Sequence, residues 1–228
     1  MRHSLLLIVF LITVLLQFSA RGQTDSVNYS LRRTIAYSGS AAAYGGSLTG
    51  LYFLWYNDYN SGSFHCFNDN NEWFGMDKLG HSSSAISIAS VQTDIFEWSG
   101  MEKRKAIFWG SGVSMAFMST IEIFDGFSEG WGFSFGDMIA NTAGIALFAG
   151  QELLFDDQPA ILKFSMHPTV YSEYNPDLLG KNLIQQTLKD YNGQTYWLSF
   201  NIASCLNPKS NFPEWLNIAV GYGAEGMI

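Results

Sequence analysis

Charge is what this chain has least of. Of 228 residues, 12 are Lys or Arg and 20 are Asp or Glu, so 14% carry charge, against about 25% in ordinary soluble domains. The formal net charge is -8. A phosphate backbone needs a basic face, so nucleic acid is excluded as a partner. Cysteine is nearly absent: Cys66 and Cys205 stand alone, in no metal-ligand spacing. No Lys or Arg occurs between Lys105 and Lys163. An Arg-rich phosphatase signature and a paired-His motif are both missing, so neither a phosphatase of that kind nor a His-pair metalloenzyme is announced. Neither a cofactor nor a metal is expected.

What the chain has instead is aromatic and small residues, with 16% aromatics and 22 Gly. Low charge with many aromatics points to a cell-envelope setting or a large buried surface. The N-terminus reads as an export signal. Arg2 and His3 precede the apolar run "SLLLIVFLITVLLQF", and the small-residue stretch "SARGQ" follows it. That run is short for a span, which needs about 20 residues. Residues 1–23 are therefore assigned to a signal peptide, 24–158 to a helical bundle and 159–228 to a C-terminal extension.

Four segments fit helices that pack together: Thr34 to Tyr56, Lys78 to Trp98, Lys105 to Phe124 and Ser134 to Phe155. Each carries Gly, Ala or Ser at intervals of three or four. Such spacing gathers small side chains on one face and lets helix backbones approach closely. The fold expected is mainly α, a four-helix bundle of small-residue-rich, membrane-type helices with a C-terminal appendage of short helix and strand. The loops divide by charge. Arg32 and Arg33, Lys103 to Lys105, and Lys163 fall at one end; Asp58, Asp69 and Glu72, then Asp125 and Glu129, fall at the other. That suits four membrane spans, yet a cleaved signal would put Arg32 on the outer side. Spanning bundle and periplasmic bundle both stay open. In the extension, Asn192–Gly193 signals a turn, and "TYWLSFNIAS" reads as a strand.

Polar side chains break into this apolar frame at few places. In "FGMDKLGHSSSAISIAS", Asp77 and His81 stand four apart and share a helix face, with Lys78 beside them. The plain reading of Asp77 is a first-turn carboxylate favoured by the helix dipole. Glu122 lies inside "MSTIEIFDGF", and Asp137 and Asn141 are four apart in "GDMIANTAG". A carboxylate in an apolar helix costs several kcal/mol unless paired or wetted. In the four-helix topology these positions fall at the same end of the bundle. Asp77, Lys78, His81, Glu122, Asp137 and Asn141 are expected to converge in one pocket.

"DKLGH", an acidic residue late in the next helix, and "FGDMIANTAG" together resemble the signature of the YfiM-type predicted periplasmic lipoprotein family, a domain of unknown function. They are also similar to the Asp-Lys-x-x-His and Asp-x-x-x-Asn-x-x-Gly motifs of VanZ-like membrane proteins. The resemblance covers roughly Phe74 to Gly150 and carries over Asp77, Lys78, His81, Asp137, Asn141 and Gly144. The lipid-bearing Cys such lipoproteins use has no counterpart after the apolar run. The resemblance implies an exported protein of the bacterial periplasm or membrane, and it brings no reaction.

The function expected is a structural or interaction role in the cell envelope, with a membrane lipid or an envelope protein as partner. The alternative is a hydrolase or transferase acting on a lipid or cell-wall intermediate. There His81 would be base or nucleophile, Asp77 or Asp137 would orient it, and Lys78 would steady a phosphate or oxyanion. A transition metal on His81, Glu122 and Asp137 is chemically acceptable as a third reading. The small-molecule substrate, if there is one, is not legible.

Overall fold

Four long helices carry the chain from Tyr29 to Phe155. They are α1 (Tyr29–Leu54), α2 (Met76–Trp98), α3 (Lys103–Phe127) and α4 (Phe135–Phe155). The computed structural model describes residues 27–56, 59, 61–205, 212–213 and 215–228. The signal assigned to residues 1–23, Asp58 and the side chain of Cys205 lie outside that description. Cys66 is exposed and free.

Two of the four long helices, α1 and α4, start at a side-chain cap. The Asn28 side chain accepts from the Leu31 N–H at 3.0 Å, and Ser134 Oγ accepts from the Asp137 N–H at 3.1 Å, both satisfying first-turn donors. The start of α2 is built differently. Trp73, Phe74 and Gly75 all take positive φ, at 52°, 50° and 74°, so the chain turns sharply before Met76. That turn sets Asp77 and Lys78 into the first turn of α2.

The tight core is a three-helix core, with α2 between α3 and α4. Ala85 and Ala89 are wholly buried on α2, and Ser114 Oγ donates to the Ala85 carbonyl at 2.7 Å. A Cβ at Gly110 would land on Thr93, and one at Gly144 would lie 2.5 Å from the Ser82 carbonyl oxygen. Here small residues do what their spacing implied. In α1 they do not: a Cβ on Gly39, Gly45, Gly46 or Gly50 would meet nothing within 4 Å. That helix buries Ala36 and is tied on by polar contacts, Ser40 Oγ to Gln92 Oε1 at 2.7 Å and Tyr44 Oη to Thr120 Oγ1 at 2.7 Å. The fourth helix leans on the core rather than completing it.

The C-terminal region is a three-stranded antiparallel sheet, β1 (Ala160–Met166), β2 (Gln194–Asn201) and β3 (Asn217–Tyr222), in the order β1-β2-β3. Three short helices, α5 (Tyr171–Tyr174), α6 (Pro176–Leu179) and α7 (Leu183–Lys189), connect β1 to β2. The sequence reading found β2 alone. β1 carries Lys163 at its centre and β3 has Gly221 near its end, which masks the strand pattern. Asn192–Gly193 closes a 3₁₀ turn rather than a hairpin, because the buried Asn192 amide donates to Met227 O at 2.8 Å.

The sheet lies along the bundle. At one end the Gln151 side-chain amide pairs with both backbone groups of Ala160, at 2.7 and 3.0 Å. At the other, Tyr196 packs over Gly80 and joins Met76 and Met227 in a second small core. By length and composition, α3 and α4 are the helices able to cross a membrane among the described residues.

Candidate functional site

The six residues expected to converge in one pocket cluster at the end of the bundle where α2 and α4 begin and α3 ends, and three of them, Asp77, His81 and Asp137, line a cavity there. Lys78 is the hub. Its Nζ lies 2.7 Å from Asp137 Oδ1, 2.6 Å from Asp69 Oδ1 and 3.1 Å from Asp77 Oδ2, so one ammonium ties a loop, α2 and α4. The Asp137 contact is close but off the direction of a good hydrogen bond, since Oδ1 is buried without an aligned donor. Burial opposes the Lys78 charge, but its bonds to Asp137 and Asp69 outweigh that and hold the ammonium above its ordinary range. Asp69 is held below the usual carboxylate range, because Lys78 and Ser134 outweigh its burial.

His81 divides the remaining acids between its two nitrogens. Nδ1 lies 3.3 Å from Asn141 Oδ1 and 3.3 Å from Glu122 Oε1. Nε2 faces the other way, 3.8 Å from Asp77 Oδ1 and 3.9 Å from Asp137 Oδ1. The Glu122 carboxyl, 1% exposed, takes the Ser134 N–H on Oε2 at 3.2 Å. Burial, then Asp137 and Asp125 beside it, pushes that carboxyl up to about 9. Burial, then Asp77, pushes Asp137 up to about 8 in spite of Lys78. Helical spacing explains the gathering: Asp77 and His81 lie one turn apart on α2, and Asp137 and Asn141 one turn apart on α4. The close approach at Gly144 brings those two faces together.

Three contributors were not singled out as site residues from sequence. Asp69 comes from an irregular loop, pinned in place by backbone bonds from Phe67 N–H to Phe133 O and from Phe133 N–H to His65 O. Tyr191 comes from the turn before β2, and its Oη donates to Asp77 Oδ1 at 2.5 Å. Tyr56, at the end of α1, donates to Asp125 Oδ1 at 2.9 Å, and burial pushes that Asp125 carboxyl up to about 7. Glu122 with Asp125, one helical turn apart, was a visible signal for the last of these. No periodic signal marked the other two.

The cluster opens into a cavity of about 940 Å³. Asp77, His81 and Asp137 line it together with the further acids Asp69, Glu72, Asp125 and Glu129; Trp55, Phe117, Ile121 and Trp131 are among its apolar residues. Two hydroxyls beside the cluster are committed to other partners: Ser82 Oγ donates to the Ala140 carbonyl at 2.9 Å, and Ser134 Oγ donates to Asp69 Oδ1 at 2.7 Å. Asp77, His81 and Asp137 each offer one atom, all within 4.8 Å of one another, in the arrangement of a metal-ligand set. Glu122, the acid paired with His81 in the sequence reading of a metal site, sits instead on the Nδ1 side of the ring.

Residues 65–151 match the family model described as predicted periplasmic lipoprotein (DUF2279). The match runs from the loop carrying Asp69 through α2, α3 and α4, and it holds all six candidate residues. No curated protein and no solved structure matches the chain. The family's description is that of an exported protein of the cell envelope, in agreement with the signal read at the N-terminus. It bears on the YfiM-type resemblance; the VanZ-like similarity rests on the motifs alone.

Proposed function

We propose that this envelope protein binds an amphipathic ligand, a membrane lipid or lipid-linked cell-wall intermediate, with its apolar part in the cavity and its polar head at the His81 cluster. The observation that carries this reading is continuity: Asp77, His81 and Asp137 of the ionisable cluster line the same cavity of about 940 Å³ as Trp55, Phe117, Ile121 and Trp131. Sites of that size and lining, with a few convergent polar groups, are the usual form of a small-molecule site. Binding is better supported than covalent hydrolysis, because His81 is ringed by carboxylates and an amide rather than by a hydroxyl it could activate.

The bundle is read as standing beside the bilayer rather than across it. The sheet runs along the helices from Gln151 to Gly80, and β1 and β3 are its edges among the described residues. Unpaired edge groups in hydrocarbon would each cost several kcal/mol, so an open sheet is not tolerated at that depth. Phe108, Trp109, Leu154 and Phe155 are exposed on α3 and α4, a surface suited to lipid contact at the interface.

A structural role is favoured by one observation of its own, the three-way pairing of Lys78. The two readings separate experimentally. The chain purified without detergent is extracted with organic solvent for mass spectrometry, and binding of a fluorescent acyl-chain probe is titrated. Ser84 lines the cavity, so Ser84→Trp should fill it. The ligand reading expects co-extracted lipid, saturable probe binding, and at least tenfold weaker binding in Ser84→Trp at unchanged melting temperature. A chain that carries no lipid and takes up no probe would leave the structural role.

A further inference from the structure

We propose that Asp77 Oδ1, His81 Nε2 and Asp137 Oδ1 form a binding site for one first-row divalent cation such as Zn²⁺ or Mn²⁺. The site does not rest on the ligand reading above, since ion binding needs no lipid.

The first support is geometric. Nε2 stands 3.8 and 3.9 Å from the two carboxylate oxygens, and all three atoms fall within 4.8 Å of one another. Those separations are too long for hydrogen bonds. A contraction of a few tenths of an ångström would bring all three within the about 2.0–2.2 Å at which they share one ion. A nitrogen and two carboxylate oxygens are an acceptable donor set for Zn²⁺ or Mn²⁺.

The second support is the other side of the ring. Nδ1 has Asn141 Oδ1 as its hydrogen-bond partner at 3.3 Å, with Glu122 Oε1 also 3.3 Å away but out of line for a bond. A proton held on Nδ1 leaves the Nε2 lone pair pointing at two carboxylate oxygens, an arrangement that is repulsive unless a cation lies between them. An imidazole whose far N–H is held by a carboxylate or carbonyl oxygen is the usual support of a metal-bound His, and the Asn141 amide oxygen fills that place here. Tyr191 Oη donates to Asp77 Oδ1 and fixes that carboxylate in the same way.

The third support is an unmet demand inside the cluster. Asp137 is 4% exposed, and its Oδ1, one of the three proposed ligand atoms, has no aligned hydrogen-bond donor. Lys78 Nζ reaches it at 2.7 Å, but it is shared with Asp69 and with the far oxygen of Asp77. Four carboxylates, Asp69, Asp77, Glu122 and Asp137, surround one Lys and one His. The Lys78 ammonium stops at Oδ2 of Asp77 and leaves Oδ1 facing the imidazole.

The test is a calorimetric titration of Zn²⁺, and separately of Mn²⁺, into the purified, tag-free and chelator-stripped chain. One ion per chain is expected. Asp77→Asn, His81→Gln and Asp137→Asn should each weaken binding at least tenfold, while His167→Gln, an exposed position on the loop after β1, should not. Absence of a one-to-one site in the wild type, or unchanged affinity in all three variants, overturns the proposal. Should the variants fail to fold, the wild type still decides it. With ¹⁵N-histidine labelling, bound Mn²⁺ should show hyperfine coupling to one imidazole nitrogen, and a spectrum of oxygen ligands alone overturns it.

Discussion

Asp125 shows how one buried carboxyl makes stability depend on pH. It lies at the end of α3 with Tyr56 Oη on its Oδ1, and it feels His81 and the negative charges of Asp77 and Asp137. Its ordinary value is 3.8, and burial raises it to about 7 in the folded chain. The folded state therefore keeps a proton that the unfolded chain gives up above 3.8. Stability from this group is fully present below that value and is lost as pH rises through about 7. Asp125→Asn keeps an acceptor for Tyr56 and removes the titration. Urea midpoints measured between about pH 4 and 8 should fall less steeply with pH in the variant than in the wild type; parallel curves would contradict the burial. At this scale the sequence was informative where helical spacing did the gathering. Asp77 with His81, and Asp137 with Asn141, could be read because one turn of helix puts them on one face. Asp69 and Tyr191 reach the same site through a pinned loop and a turn, and neither has a period to read.

Among the elements, glycines of the same sequence pattern have opposite roles. Gly110 sits where α2 and α3 touch, and a methyl group there would press on Thr93. Gly110→Ala should lower stability by about 1–3 kcal/mol. Gly45 sits in α1 with open space around its would-be Cβ. Gly45→Ala should raise stability by about 0.5–1 kcal/mol, since the only change is the chain entropy of a helical glycine. Chemical denaturation of the two variants beside the wild type checks both signs at once. Small residues at intervals of three or four announced four close-packed helices. Three are close-packed, and the fourth is held by Ser40, Tyr44 and its contribution to the cavity wall. The spacing marks a face that permits close approach; whether another helix occupies that face is settled elsewhere in the chain.

For the whole molecule, the question left open by charge and hydropathy was whether the bundle spans a membrane. The proposal that it stands beside the bilayer rests on the sheet, whose edges a bilayer would leave unpaired. Membranes from expressing cells, washed with alkaline carbonate, should release the chain; retention until detergent is added would place the helices in the bilayer.

The six polar positions, the helices that bear them, and the export-type N-terminus were all determined by the sequence alone, because caps, turn-spaced carboxylates and apolar runs are local properties of the chain. Only the tertiary structure decided that Lys78 reaches a loop carboxylate, that Glu122 and the Asp77–Asp137 pair take opposite sides of one imidazole, and that a sheet lies along the bundle. Those depend on contacts between residues far apart in the chain, and their register is set by packing, above all by the close approach at Gly110 and Gly144, rather than by any local preference.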